Sequence, residues 1–101
     1  MQTIKPNIDE VALTEFAKRH RLSELSIFGS ILRDDFGPES DVDVLFALLP
    51  GEMMTIEKYL EMQDELEHMF GRPVHTVRRE LVTNPYRRAN ILRTRRIVYA
   101  A

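Results

Sequence analysis

The chain contains no cysteine, which excludes disulfides, thiolate zinc sites and a cysteine nucleophile. Any chemistry must therefore come from carboxylate, hydroxyl, imidazole or backbone groups. It also lacks a long hydrophobic run. The longest uninterrupted apolar stretch, Val44 to Leu49, is six residues, far short of the ~20 needed to cross a bilayer. Neither a basic leader nor an apolar stretch ending at a small-residue cleavage site is readable in Met-Gln-Thr-Ile-Lys-Pro-Asn, so the expected location is the cytoplasm. Internal repeats and low-complexity linkers are missing too. With 101 residues, 44% hydrophobic and 30% charged, the balance is that of one globular domain spanning residues 1–101.

The charge that is present is unevenly distributed. Residues 1–71 hold 6 Lys/Arg against 15 Asp/Glu, whereas residues 72–101 hold 8 Arg against Glu80 alone. An acidic body with an arginine-rich last third implies either internal pairing or a basic face that meets an acidic or phosphate-rich partner. Arg87, Arg88, Arg93, Arg95 and Arg96 fit a solvated helix face as well as they fit a partner-docking face or an RNA-facing strip taken together. Few aromatics are interleaved with them, which argues against direct nucleic-acid binding.

Local patterns give an alternation of helices and strands. Asn7 and Glu10 form a capping pair ahead of a helix over 8–20, with Ile8, Ala12, Leu13, Phe16 and Ala17 at helical spacing. A short strand, 25–28, ends at Gly29-Ser30, where Ser30 caps a helical turn over 31–36. After the turn residues 37–40, positions 41–48 alternate as a strand: Asp41, Asp43, Leu45 and Ala47 share one face, and Val42, Val44, Phe46 and Leu48 the other. Thr55 caps a helix whose apolar stripe is Ile56, Tyr59, Leu60, Leu66, Met69 and Phe70, stopped by Gly71. The Met53-Met54 pair, Met62 and Met69 read as helix-face packing. A third strand, 74–77, turns His75 and Val77 to one side; Asn84-Pro85 then opens a basic helix to about Thr94, ahead of the apolar triplet Ile97-Val98-Tyr99. The expected class is α/β or α+β, with a small mixed sheet flanked by helices.

One stretch carries chemistry. Asp41 and Asp43 are i and i+2 on a strand, so they leave one face about 7 Å apart. Two anions ~6 Å apart at an effective dielectric of ~20 repel by roughly 3 kcal/mol, a cost that a cation or an arginine would relieve. Paired aspartates suit magnesium, which retains waters and shares its shell with substrate phosphates. Gly29-Ser30 at a strand-to-helix turn offers backbone N–H groups and a hydroxyl to those phosphates, and Arg33 lies one helical turn on. Each feature alone is ordinary turn chemistry; four fixed residues at this spacing coincide by chance in only roughly one chain of this length in a thousand. Together they describe a phosphoryl or nucleotidyl transfer site. His20 and His68, at or near helix ends, need no more than a favourable dipole contact.

Gly29-Ser30, ten residues, then Asp41-Val42-Asp43 resembles the signature of the DNA polymerase β-like nucleotidyltransferase superfamily. The small chain is similar to its minimal branch, the MNT antitoxins of HEPN/MNT toxin–antitoxin pairs. The resemblance implies the polymerase β-like fold, with Gly29 and Ser30 on nucleotide phosphates and Asp41 and Asp43 on magnesium or manganese. It also implies ATP as substrate, and a HEPN ribonuclease partner in a hetero-oligomer that is silenced by transfer of AMP to a tyrosine. One departure stands out. The family places a third carboxylate on the next strand, where this chain has His75 in Val74-His75-Thr76-Val77. Imidazole serves as a base near neutral pH but is a poor magnesium ligand. Two expectations follow: a weakened transferase in which His75 stands in for the third carboxylate, or an antitoxin that neutralises its partner by binding alone.

Overall fold

A computed structural model describes residues 9–29 and 41–101. Its elements run α1 (Glu10–Arg19), β1 (Leu22–Phe28), β2 (Val42–Leu48), α2 (Ile56–Phe70), β3 (Val74–Arg78), a 3-10 turn (Arg79–Leu81), α3 (Pro85–Thr94) and β4 (Arg96–Ala100). The strands form one mixed sheet in the order β3-β2-β1-β4. β1 is antiparallel to both β2 and β4, while β2 and β3 are parallel and joined across α2. A parallel pair needs such a crossover, because a tight hairpin can only reverse the chain.

Capping explains most helix limits. Asp9, rather than Asn7, is the N-cap of α1, its carboxylate accepting from the Ala12 N–H. Asn7 itself lies outside the described residues. Thr55 caps α2 by accepting from the Lys58 N–H, and Gly71 ends that helix with a left-handed φ of 68°. Asn84 accepts from both Tyr86 and Arg87 N–H groups, with Pro85 in the first turn of α3, where its missing N–H costs nothing. The expected turn at 31–36 lies outside the described residues. The closing triplet is the core of β4, paired with β1.

Strand alternation sends side chains into two separate apolar clusters. On one face Leu25, Ile27, Val42, Val44, Phe46 and Val74 pack against Leu13, Phe16 and Ala17 of α1 and Met62, Leu66 and Phe70 of α2. On the other, Phe28 and Leu45 pack against Val82 and Ile91, with Val77 and Leu92 alongside. The expected α2 stripe is corrected here: Met62 is buried, whereas Ile56 and Leu60 are 78% and 59% exposed. The sequence offers two adjacent apolar rows at helical spacing, and the row through Met62, Leu66 and Phe70 is the one that meets the sheet. Met53, at 79% exposed, and Met69, at 37%, are likewise not core residues.

A register shift in β1 between Leu22 and Glu24 has a chemical consequence. Residues two apart on a regular strand share a face, but the bulge turns Glu24 away from Leu22 and towards α3. There the buried carboxylate accepts from Ser26 Oγ at 2.6 Å, Arg79 Nη1 at 2.8 Å and Arg95 Nε at 2.5 Å. Arg88 donates to the Arg79 and Val82 carbonyls, Arg95 also donates to the Leu92 carbonyl, and Arg96 pairs with Glu10. Much of the arginine excess is thus spent on internal pairing. His20 is buried rather than merely set at a helix end, with Nε2 2.5 Å from Glu65 Oε1, tying α1 to α2. His68 stays exposed beside Asp64.

Candidate active site

The site is built where the second sheet face reaches the end of β1. Phe28 pairs with Asp43 across the antiparallel ladder, and Asp43 pairs with His75 across the parallel one. Gly29 follows directly, with a left-handed φ of 78°. A Cβ at this position would overlap Asp43 Oδ2 and lie 3.2 Å from its Cγ. Glycine is required twice over here, by backbone conformation and by the carboxylate that occupies the space a side chain would fill.

His75 stands beside Asp43 as the alternation of both strands requires, its Nδ1 3.4 Å from Asp43 Oδ1. The aspartate side chain is 25% exposed and the imidazole 60% exposed, so the pair opens to solvent from the histidine side. Burial pushes the Asp43 carboxyl above the usual aspartate range; the neighbouring Asp41 charge adds to that, while His75 and Arg87 oppose it. Asp41 is exposed at the entrance to β2, whose first N–H, that of Val42, donates to the Pro73 carbonyl at 3.1 Å. Ser30 and Arg33 lie outside the described residues.

Among the described residues, no group of three or more His, Cys, Asp or Glu side chains is arranged to hold a metal ion. The donor chemistry nonetheless fits a magnesium ion that takes only carboxylates from the protein. Asp41 acts on Asp43 as a like charge, and Asp43 is partly desolvated, a combination that a divalent cation relieves. His75 does not fit magnesium as a third ligand, since imidazole is too soft a donor for that ion.

Two participants were not evident in the sequence. Arg87, in the first turn of α3, acts electrostatically on Asp43, although sequence reasoning leaves it among five interchangeable arginines. Glu24 anchors the other end of the same helix; its only sequence signal is a lone acid inside an otherwise strand-like stretch. Burial pushes the Glu24 carboxyl up, but the Ser26 hydroxyl, Arg95 and Arg79 together outweigh this and hold it below the usual range.

Comparison with known proteins bears on the family and the fold. A candidate protein adenylyltransferase of Methanocaldococcus jannaschii is 26% identical over 73 residues, covering 72% of this chain and 73% of the relative. A solved structure described as a candidate minimal nucleotidyltransferase superposes with a TM-score of 0.71 at 26% identity, covering 86% of both chains. The complex of a tri-AMPylated HEPN toxin with an MNT antitoxin from Shewanella oneidensis gives a TM-score of 0.64 at 13% identity, over 91% of this chain and 70% of the matched one. That last likeness is one of fold. Among the described residues, no helix is long and apolar enough to cross a membrane. The nucleotidyltransferase domain family matches residues 10–98, from the first turn of α1 into β4, and the chain belongs to that family.

Proposed function

We propose that this chain is an antitoxin-type nucleotidyltransferase that moves AMP from ATP to a tyrosine hydroxyl of a partner HEPN toxin and so silences it. Family membership brings the catalytic potential of a nucleotide- and metal-using domain. The likeness to an MNT antitoxin in complex with an AMPylated HEPN toxin supports a HEPN protein as the acceptor and the hetero-oligomeric partnership. The observation that carries the reading is the Gly29–Asp43–His75 arrangement, in which a glycine at the end of β1 leaves room for a carboxylate that stands beside an imidazole.

The roles follow from chemistry. Gly29 and Ser30 present N–H and hydroxyl donors to the phosphates, and Arg33 adds a charge-assisted contact. Asp41 and Asp43 would hold magnesium, or manganese, which when bound neutralises the phosphates and polarises the α-phosphate. The acceptor hydroxyl forms a bond to the α-phosphorus while the bond from that phosphorus to the bridging oxygen breaks, and pyrophosphate leaves. The hydroxyl proton passes to the His75 imidazole, whose Nδ1 side faces Asp43, leaving Nε2 to act as base. Protonated His75 is then stabilised by the adjacent carboxylate.

His75 also favours a second reading, in which the chain neutralises its partner by binding alone. Imidazole replaces a carboxylate at the third position, and no three-ligand metal group exists among the described residues. Intact-mass spectrometry separates the two. The partner is incubated with ATP, magnesium or manganese, and the natural chain, Asp43→Asn or His75→Asp. Gain of AMP units with the natural chain and none with Asp43→Asn supports transfer; equal gain with Asp43→Asn refutes it. Gain with His75→Asp alone assigns the natural chain to neutralisation by binding.

A further inference from the structure

We propose that the outer edge of β3, overhung by Ile56 and Leu60 of α2, is the docking site for the acceptor segment of the partner protein. That segment is an extended, apolar stretch with basic flanks, which adds to the sheet as a further strand beside His75. This rests on the nucleotidyl-transfer reading and adds to it where, and in what conformation, the acceptor is held.

β3 is an edge strand, and its register decides which backbone groups look outwards. Val42 pairs with Val74, and its N–H donates to the Pro73 carbonyl. The backbone groups of His75 and Val77 therefore turn to β2, while those of Val74 and Thr76, and the Arg78 N–H, point away from it. α2 takes up the first outward pair: Glu67 Oε2 accepts from the Val74 N–H at 3.2 Å, and Gln63 donates Nε2 to the Val74 carbonyl. Among the described residues, none bonds the Thr76 backbone N–H and C=O or the Arg78 N–H, so this half of the edge is open to another strand.

The helix above that half is apolar and uncovered. Ile56, Leu60, Gln63 and Glu67 stand at i, i+4, i+7 and i+11, a single stripe of α2. Gln63 and Glu67 reach the edge at Val74, and Tyr59 and Gln63 meet the Thr76 hydroxyl, so α2 runs back along β3. Ile56 and Leu60, both exposed, continue the stripe along the open half of the edge. The next row around the helix, Glu57, Glu61 and Asp64, is exposed and acidic. An occupant that complements both rows sets apolar side chains against Ile56 and Leu60 and Lys or Arg towards the acids. A strand added here lies ~4.8 Å from β3, with side chains alternating between the α2 face and the His75 face. A hydroxyl residue between two apolar ones is thereby delivered beside an imidazole that is itself exposed and 3.4 Å from Asp43. Main-chain bonds hold such a segment and the alternating side chains select its sequence.

The test uses the full chain and the partner HEPN protein without nucleotide, so that binding is read apart from catalysis. Amide hydrogen exchange is followed by NMR in the free chain and in the complex, and calorimetry gives the affinity of the natural chain, of Leu60→Lys and of Glu57→Lys/Glu61→Lys. The Thr76 and Arg78 N–H groups are expected to exchange at least about tenfold more slowly in the complex. Both variants are expected to bind at least about tenfold more weakly, with circular dichroism and melting temperature unchanged, since the replaced side chains are exposed. A complex that leaves the exchange of Thr76 and Arg78 unaltered overturns the inference, as does binding by either variant within about twofold of the natural chain; the partnership itself survives both results. Slowing of the same amides in the chain alone as its concentration rises assigns the edge to a second copy and overturns the inference as well. If no complex forms, the HEPN partnership falls and takes this inference with it.

Discussion

Replacing Glu24 by Gln removes a negative charge from a place where α3, the 3-10 turn and the sheet are tied together. The carboxylate accepts from Ser26, Arg79 and Arg95, and hydrogen bonds to a charged group contribute about 1.5–3 kcal/mol each. Breaking a buried ion pair from one side costs about 3–5 kcal/mol. Two features reduce that figure: the Arg79 side chain is 36% exposed and Arg95 keeps the Leu92 carbonyl, while glutamine retains one acceptor oxygen. The expected loss is about 2–3 kcal/mol at pH 7, or roughly a 10–20 °C fall in melting temperature for a domain this size. The sign with pH follows from the folded carboxyl being held below its ordinary 4.5. Its stabilising contribution is complete above the unfolded value and is lost as pH falls through the folded one. Urea denaturation followed by circular dichroism, repeated from pH 7 into the acid range, should show Glu24→Gln less stable at neutral pH and lacking this acid component. A difference under about 0.5 kcal/mol at pH 7, or parallel acid profiles, would refute the reasoning; 0.5 kcal/mol is the usual scatter of neutral surface substitutions.

Two further outcomes follow from local geometry. Gly29→Ala puts a Cβ on a left-handed backbone, at roughly 1–2 kcal/mol, and forces the Asp43 carboxylate to move; urea denaturation should show at least that loss, with nucleotide binding impaired as well, and unchanged binding would mean that the close approach has no role in the site. Asn84→Ala deprives the Tyr86 and Arg87 N–H groups of their acceptor and should cost about 1 kcal/mol. A melting temperature equal to that of the natural chain would contradict the capping argument.

The sequence made legible whatever depends on neighbours along the chain. Thr55 and Gly71 bracket α2, and Asn84-Pro85 opens α3, as capping chemistry predicts. Period-two alternation sets Asp43 and His75 side by side once β2 and β3 are known to be parallel and in register. What stayed hidden depends on docking. Two apolar rows on α2 satisfy the same helical period, and only contact with the sheet selects Met62 over Ile56 and Leu60. Glu24 and Arg95 are 71 residues apart, and a strand bulge is needed before they face each other. Arg87 is told from its neighbours only by the electrostatic influence on Asp43 that the docking of α3 gives it. Ser30 and Arg33, the other half of the expected phosphate site, lie outside the described residues.

The contrast between Gly29 and His75 bears on how such a site evolves. Position 29 is locked, because any side chain there collides with Asp43. Position 75 is an open one, its imidazole 60% exposed at the edge strand of the sheet, so an aspartate fits there without disturbing the core. Histidine and aspartate codons differ by a single base. One point mutation is thus enough to move a lineage between an imidazole site and a three-carboxylate one, while the apolar core beneath it is inherited unchanged.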